Sequence, residues 1–201
     1  MLKLFLGAPS ESNISMALGA VWNASCLTGP YPSRDSEPWE QEPIKNDLEA
    51  MGHLFGVAKI APEVDLPCGT FIVREENADG ERVADFLGLY IPLSAIAAVY
   101  PVGSYPFGDH ETAVRWRSTI DTWLLELVHN HIGDLQFEVG VIGWEPQLRS
   151  DIVADTKAAA TMEHRFDGII LRTATGLQWY PPTRYDIIKF CLPTPPPARS
   201  S

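Results

Sequence analysis

The sequence predicts an α+β fold: a mainly antiparallel sheet made of two hairpins plus a central strand, packed against a long amphipathic helix at about residues 110–131. Three observations carry this prediction. Apolar runs at 71–74 and 83–90 flank Asp79-Gly80, a dipeptide that favours a tight hairpin turn. Trp116, Ile120, Trp123, Leu124, Leu127 and Val128 recur at three- and four-residue spacing, which defines one helix face. Strands and helices do not alternate regularly, so a doubly wound parallel sheet is not expected.

A two-residue turn at Asp79-Gly80 sets a register for the first hairpin. Asn77 then faces Arg82, Arg74 faces Asp85, Val73 faces Phe86 and Ile72 faces Leu87, so one opposite-charge pair and two apolar pairs fall together. Before the hairpin, a short helix is expected at 12–24 with Ser12 or Asn13 as N-cap, a helical turn at 46–51 and a strand at 53–60. Four prolines and Gly29 mark residues 27–45 as a long surface loop. Trp22 and Trp39 flank or occupy that loop, and an exposed Trp there would signal contact with a partner.

After the hairpin, Pro92 ends the strand, Ser94 can cap a single helical turn, and residues 100–108 form an aromatic-proline loop around Tyr105. Asp109 is a natural N-cap for the amphipathic helix, with Glu111 in its first turn. Arg115, Arg117, Asp121 and Glu126 fall mostly off the apolar stripe, and Gly133 sits where a left-handed helix end is common. Phe137–Trp144 reads as the central strand. Residues 154–162 have helical propensity, with Ser150 or Asp151 as cap. A second hairpin at 168–180 turning at Thr175-Gly176 would set Arg172 opposite Trp179. Residues 1–192 are expected to form a single globular domain. The proline-rich segment 193–201 is expected to be a disordered tail.

Composition narrows the function classes. The chain has 201 residues, a net charge of -11, and 45% hydrophobic and 20% charged residues, an ordinary globular balance. The acidity is concentrated: residues 1–50 carry -4, 51–150 carry -8, and 151–201 carry +1. Such a field repels phosphate backbones, so no nucleic-acid partner is expected. No apolar run approaches the length of a membrane span and the N-terminal run is too short for a signal peptide, which predicts no membrane partner and a cytoplasmic protein. Cys26, Cys68 and Cys191 are widely spaced, without disulfide or zinc patterning.

Motifs for phosphate, dinucleotide, hydrolase, zinc and calcium chemistry are absent, so no catalytic residue, cofactor or metal ligand is assigned. His129 and His131 would point about 200° apart on a helix, which prevents a shared metal. The Glu163-His164-Arg165-Phe166-Asp167 cluster, whose residue types could support acid–base work, is explained by solvation, and the Asp109-His110-Glu111 helix start by capping and exposure. The acids of the first hairpin are more suggestive. Glu75, Glu76, Asp79, Glu81 and Asp85 fall within eleven residues and are opposed only by Arg74 and Arg82. The expected function is an acidic cytosolic protein-binding module, an immunity- or antitoxin-type inhibitor of a basic partner. Its contact residues would be Glu75, Glu76, Asp79 and Glu81, with Trp39 and Tyr105 as anchors. The alternatives are an enzyme or small-molecule binder with a pocket between sheet and helix, rimmed by loop 100–108, and a homodimeric structural subunit.

Overall fold

A computed structural model describes residues 1–45, 48, 52–103 and 110–184. The fold is α+β, and the described residues form one eight-stranded antiparallel sheet and four α-helices. The strands are β1 (Leu2–Gly7), β2 (Leu27–Tyr31), β3 (His53–Ala61), β4 (Val64–Glu76), β5 (Arg82–Tyr90), β6 (Val139–Ile142), β7 (Gly168–Thr173) and β8 (Gly176–Tyr180). Their order across the sheet is β2-β3-β4-β5-β1-β6-β7-β8. The helices are α1 (Glu11–Trp22), α2 (Leu93–Val99), α3 (His110–Leu127) and α4 (Val153–Ala159).

The sheet is larger than two hairpins and one strand. Its two central strands are β5 and β1, and β6, the strand within 137–144, lies one place further out beside β1. The N-terminal run alternates: Leu2, Leu4 and Leu6 are buried on one face, while Lys3 and Phe5 point to the other. Residues 27–31, expected within the long loop, form edge strand β2 against β3. Pro30, which cannot donate a ladder hydrogen bond, is tolerated because it lies on that edge.

The sheet separates two cores. On one face, α1 contributes Ile14, Ala17, Leu18, Val21 and Trp22, and α3 contributes Trp116, Ile120, Trp123, Leu124 and Leu127. They pack over Leu2, Leu4, Leu54, Leu87, Leu89 and Ile170. On the other face, Leu148, Val153 and Ala160 cover Ala84, Phe86, Val139, Val141 and Ile169. Burial of this many large side chains supplies the main driving force of folding, about 1.5–3 kcal/mol for each fully buried one.

Local starts and stops differ from expectation where a neighbouring group competes. Ser10, not Ser12 or Asn13, caps α1; its hydroxyl accepts from the Asn13 amide at 3.2 Å. The residue before α2 is Pro92, not Ser94. A short π-helical segment, Val128–Ile132, follows α3, and Gly133 has φ -56°, so no left-handed cap forms. No side chain caps α4; a 3-10 turn at Ser150–Ile152 leads into it.

The β4–β5 register holds Arg74 opposite Asp85, Val73 opposite Phe86 and Ile72 opposite Leu87. The turn is longer than two residues, however. A bulge sets Glu76 opposite Arg82, and the Asn77 side-chain oxygen accepts from the Asp79 and Glu81 amides at 2.9 Å each. Gly80 takes φ +79°, the left-handed conformation that turn requires. In the β7–β8 hairpin the pairing is shifted: Arg172 faces Leu177, and Ile170 faces Trp179. Arg172 instead stacks over Phe137, with 4.9 Å to its ring centre, and donates to the carbonyls of Gly133 (2.7 Å), Leu135 and Phe137 (3.0 Å). The loose backbone after α3 outcompetes the indole because it offers a guanidinium several carbonyls at once.

Candidate functional site

Two regions of the described surface combine unusual exposure or buried charge with an open volume. The first is the loop from β2 to β3. Its residues 33–42 are organised by Gln41, whose amide nitrogen donates to the Ser33 carbonyl at 2.9 Å and the Ser36 carbonyl at 2.8 Å, and whose oxygen accepts from the Ser33 amide at 3.1 Å. Within it, Pro38–Glu40 forms a 3-10 turn closed by a reciprocal Glu37–Glu40 capping arrangement. The Ile44 amide returns to the Pro30 carbonyl at 2.7 Å. The internal bonds leave Trp39 at the tip, 80% exposed. It does not pin its own loop; Gln41 does. Asp35, Glu37, Glu40 and Glu42 lie within four residues of it in the chain and are exposed, as are Lys45 and Arg34, which pairs with Asp35 at 3.4 Å.

Beneath this loop lies a groove of about 470 Å³ walled by Tyr31, Phe55, Pro67, Tyr90 and Pro92. It opens beside a set of rings that α4 does not cover. His53 lies 4.4 Å from Phe55 and 5.5 Å from Tyr90 between ring centres, and its Nε2 is 2.8 Å from the Tyr90 hydroxyl. Partial burial, then the nearby Arg34 charge, lower the His53 pKa, so the ring favours its neutral form.

The hairpin acids, which the sequence groups together, have separate roles. Asp85 is fully buried: its carboxylate accepts from Arg82 Nε at 2.6 Å, Arg82 Nη2 at 2.7 Å and the Ser10 amide at 2.8 Å. Glu11 of α1 joins this network through Arg74 at 3.1 Å and through Arg82. Glu75 accepts from the Ser150 amide at 2.9 Å, and Glu81 from the Asn77 side chain at 3.1 Å. Glu76 and Asp79 are exposed, and the Asp79 amide donates to the Asn77 side-chain oxygen. The hairpin end and the Trp39 loop belong to different connections of the sheet. Tyr105, like Asp109 and Cys191, lies outside the described residues.

The second region is a cavity of about 290 Å³ between α3, α2 and the ends of β1, β5 and β6. Its walls include Tyr90, Ile96, Trp116, Ile120 and Trp144, and its polar lining includes Arg117, Asp121 and Glu145. Arg117 and Asp121 are only 2% and 7% exposed, although they were expected off the buried stripe of the helix. Their spacing explains this: 117, 121, 124 and 128 form a second row beside 116, 120, 123 and 127, and both rows are buried. Charge masked a pattern that Leu124 and Val128 already indicated.

Arg117 Nε donates to Asp121 Oδ2 at 3.2 Å, and its Nη2 lies 4.0 Å from Asp167 Oδ1. Asp167 packs against Gly143, where any Cβ would come within 1.9 Å of its carboxylate oxygen. Burial raises the Asp121 pKa to about 6 despite the Arg117 charge, and raises that of Asp167 as well. The Met1 nitrogen donates to the Gly143 carbonyl at 2.7 Å.

Other sequence candidates have structural explanations. Arg165 secures the segment after β8 by donating to the Pro181 carbonyl through Nε (3.1 Å) and Nη2 (2.9 Å). Cys68 is buried, with its thiol pushed up to about 12, while Cys26 is half-buried. Among the described residues, no group of three or more His, Cys, Asp or Glu side chains is placed to hold a metal ion, and no helix is long and apolar enough to cross a membrane. No protein-family model, curated protein or solved structure matches the chain.

Proposed function

We propose that this protein is an acidic protein-binding module that engages a basic protein partner, in the manner of an immunity or antitoxin protein covering its target. The single observation that carries the reading is Trp39, 80% exposed at the tip of an internally hydrogen-bonded loop. An indole held in water by an ordered loop is costly for an isolated molecule and useful as an anchor, because Trp is among the residues that dominate binding energy. Preorganisation by Gln41 lowers the ordering cost of association.

The surrounding Asp35, Glu37, Glu40 and Glu42 supply the sign of the partner. Carboxylates at the rim of an aromatic anchor steer a basic surface toward it and raise the association rate. On this reading Trp39 is the primary anchor. Glu76, Asp79 and Glu81 of the hairpin end form a second acidic contact, and Glu75 serves mainly to hold the Ser150 turn. Tyr105 remains a proposed anchor from its sequence context.

The test is affinity capture at low salt from the source organism, followed by reconstitution with the purified partner and calorimetry. A basic protein should bind wild type, weaken with rising salt, and lose at least about tenfold in affinity with Trp39→Ala. Failure to capture any basic protein, or binding unchanged by both Trp39→Ala and a Glu37/Glu40/Glu42 charge reversal, would refute the reading.

A further inference from the structure

We infer that the cavity between α3 and the sheet ends is a binding site for a small arylalkyl amine in its cationic form. The inference is independent of the Trp39 surface, which lies on a different loop.

The cavity is a formed volume in the fold, not merely a group of acids. At about 290 Å³ it lies just below the usual range of ligand pockets, about 300 to 1,000 Å³, which limits it to a small ligand. Tyr90, Trp116 and Trp144 give it aromatic walls, and Ile91, Ile96 and Ile120 complete an apolar lining. Such a surface accepts a ring or short hydrocarbon. Its polar groups converge from α3 and from the segment after β6, as in sites that orient a ligand by a few placed contacts.

The charge balance selects the ligand. Asp121 and Glu145 line the volume, and Asp167 stands beside it against Gly143. The one charged donor is Arg117, which already has the Asp121 carboxylate and the Ile142 carbonyl as acceptors; the Met1 nitrogen donates to the Gly143 carbonyl, and burial lowers its pKa to about 6. An anionic ligand would have to displace Asp121 from Arg117 while facing two further carboxylates. A cation meets an excess of carboxylate, and the indole and phenol faces stabilise it by about 0.5–2 kcal/mol through their quadrupoles.

The buried Arg117–Asp121 pair has a matching role. An ion pair of this kind often adds little net stability over an apolar replacement, so its presence at a cavity wall points to recognition. Arg117 holds the Asp121 carboxylate in place, and the carboxylate presents its remaining lone pairs to the ligand ammonium. The aryl group then lies among Ile96, Ile120 and Trp144.

The test uses the full chain and three matched probes: phenethylamine, 2-phenylethanol and 3-phenylpropionate. Binding is read by calorimetry and by the change in tryptophan fluorescence. Phenethylamine should saturate in the millimolar range or below, with 2-phenylethanol at least about tenfold weaker and 3-phenylpropionate showing no binding. Asp121→Asn should weaken phenethylamine by about tenfold or more. Because Asp121→Asn leaves Arg117 buried and can impair folding, Trp144→Ala provides a second arm at a half-buried wall position, with a similar loss expected. The proposal is overturned if phenethylamine does not saturate by roughly 5 mM. It is equally overturned if 3-phenylpropionate binds as well as the amine, or if a folded Trp144→Ala retains wild-type affinity.

Discussion

Replacing Asp85 by alanine should cost about 3 kcal/mol of folding stability, the largest effect of any single acid in the hairpin. Asp85 is fully buried and accepts three hydrogen bonds, two in a bidentate pair with Arg82 and one from the Ser10 amide at the start of α1. Alanine removes both acceptor oxygens and with them all three hydrogen bonds. The Ser10 amide loses a partner that fixes the helix start, at about 1–3 kcal/mol for a buried donor left unmade. Arg82 loses its bidentate carboxylate, for which breaking a buried pair costs about 3–5 kcal/mol. The lower end applies because the Arg82 side chain is 24% exposed and keeps Glu11. For a chain of this length about 3 kcal/mol corresponds to a fall in melting temperature of roughly 6–12 °C. Urea denaturation should show a lower midpoint with an unchanged slope. Arg82→Ala on the Asp85→Ala background should add little, because the two share one interaction. A loss below about 1 kcal/mol for Asp85→Ala would refute the reasoning, since it would mean that the network is solvated.

Other outcomes follow from the same geometry. Gly56→Ala should destabilise by about 1–3 kcal/mol, because its Cβ would sit 2.4 Å from the Trp22 ring and 2.5 Å from the Thr28 carbonyl oxygen, a backbone atom that cannot turn away; thermal melting checks this. Trp39→Ala should change stability by less than about 0.5 kcal/mol while weakening partner binding, so melting and calorimetry performed together separate a contact residue from a core residue. Asp121 gives a pH signature. Its folded pKa, about 6, lies above its ordinary value of 3.8, so between them the folded state binds more protons and stability falls as pH rises, levelling above about 6. The stability of wild type relative to Asp121→Asn should therefore decline between about pH 4 and about pH 6 in urea titrations, and a rising difference would contradict the assignment. Cys68 should resist iodoacetamide in the native protein and react once unfolded, read by peptide mass spectrometry, because its thiol is buried and held near 12.

Much of the local structure was legible because it depends on neighbours in the chain. The antiparallel α+β class follows from hairpin punctuation, and the pairing of Arg74 with Asp85 follows from two apolar pairs in the same register. At the turn the pairing slips by one residue from the register that Asp79-Gly80 predicts, since the Asn77 side chain captures two amides beside a bulge. The Leu2–Leu6 alternation is present in the sequence, but nothing local marks it as a central strand of the sheet. That position arises because β5 and β6 both return to it from distant parts of the chain.

The candidate sites divide in the same way. Trp39 could be named from the sequence, as could the concentration of acids in the hairpin. Exposure of Trp39, burial of Asp85 and burial of the Arg117–Asp121 pair could not, because burial depends on which surfaces meet across the sheet. A carboxylate reads the same in the chain whether it faces water or a guanidinium, and its environment determines its energy. The sequence by itself determined the periodicities, turn residues and overall acidity, all properties of residues within a few positions of one another. The tertiary structure decided which acids are buried in ion pairs, which tryptophan is exposed and which charged pair lines a cavity, because those outcomes are set by long-range packing and desolvation.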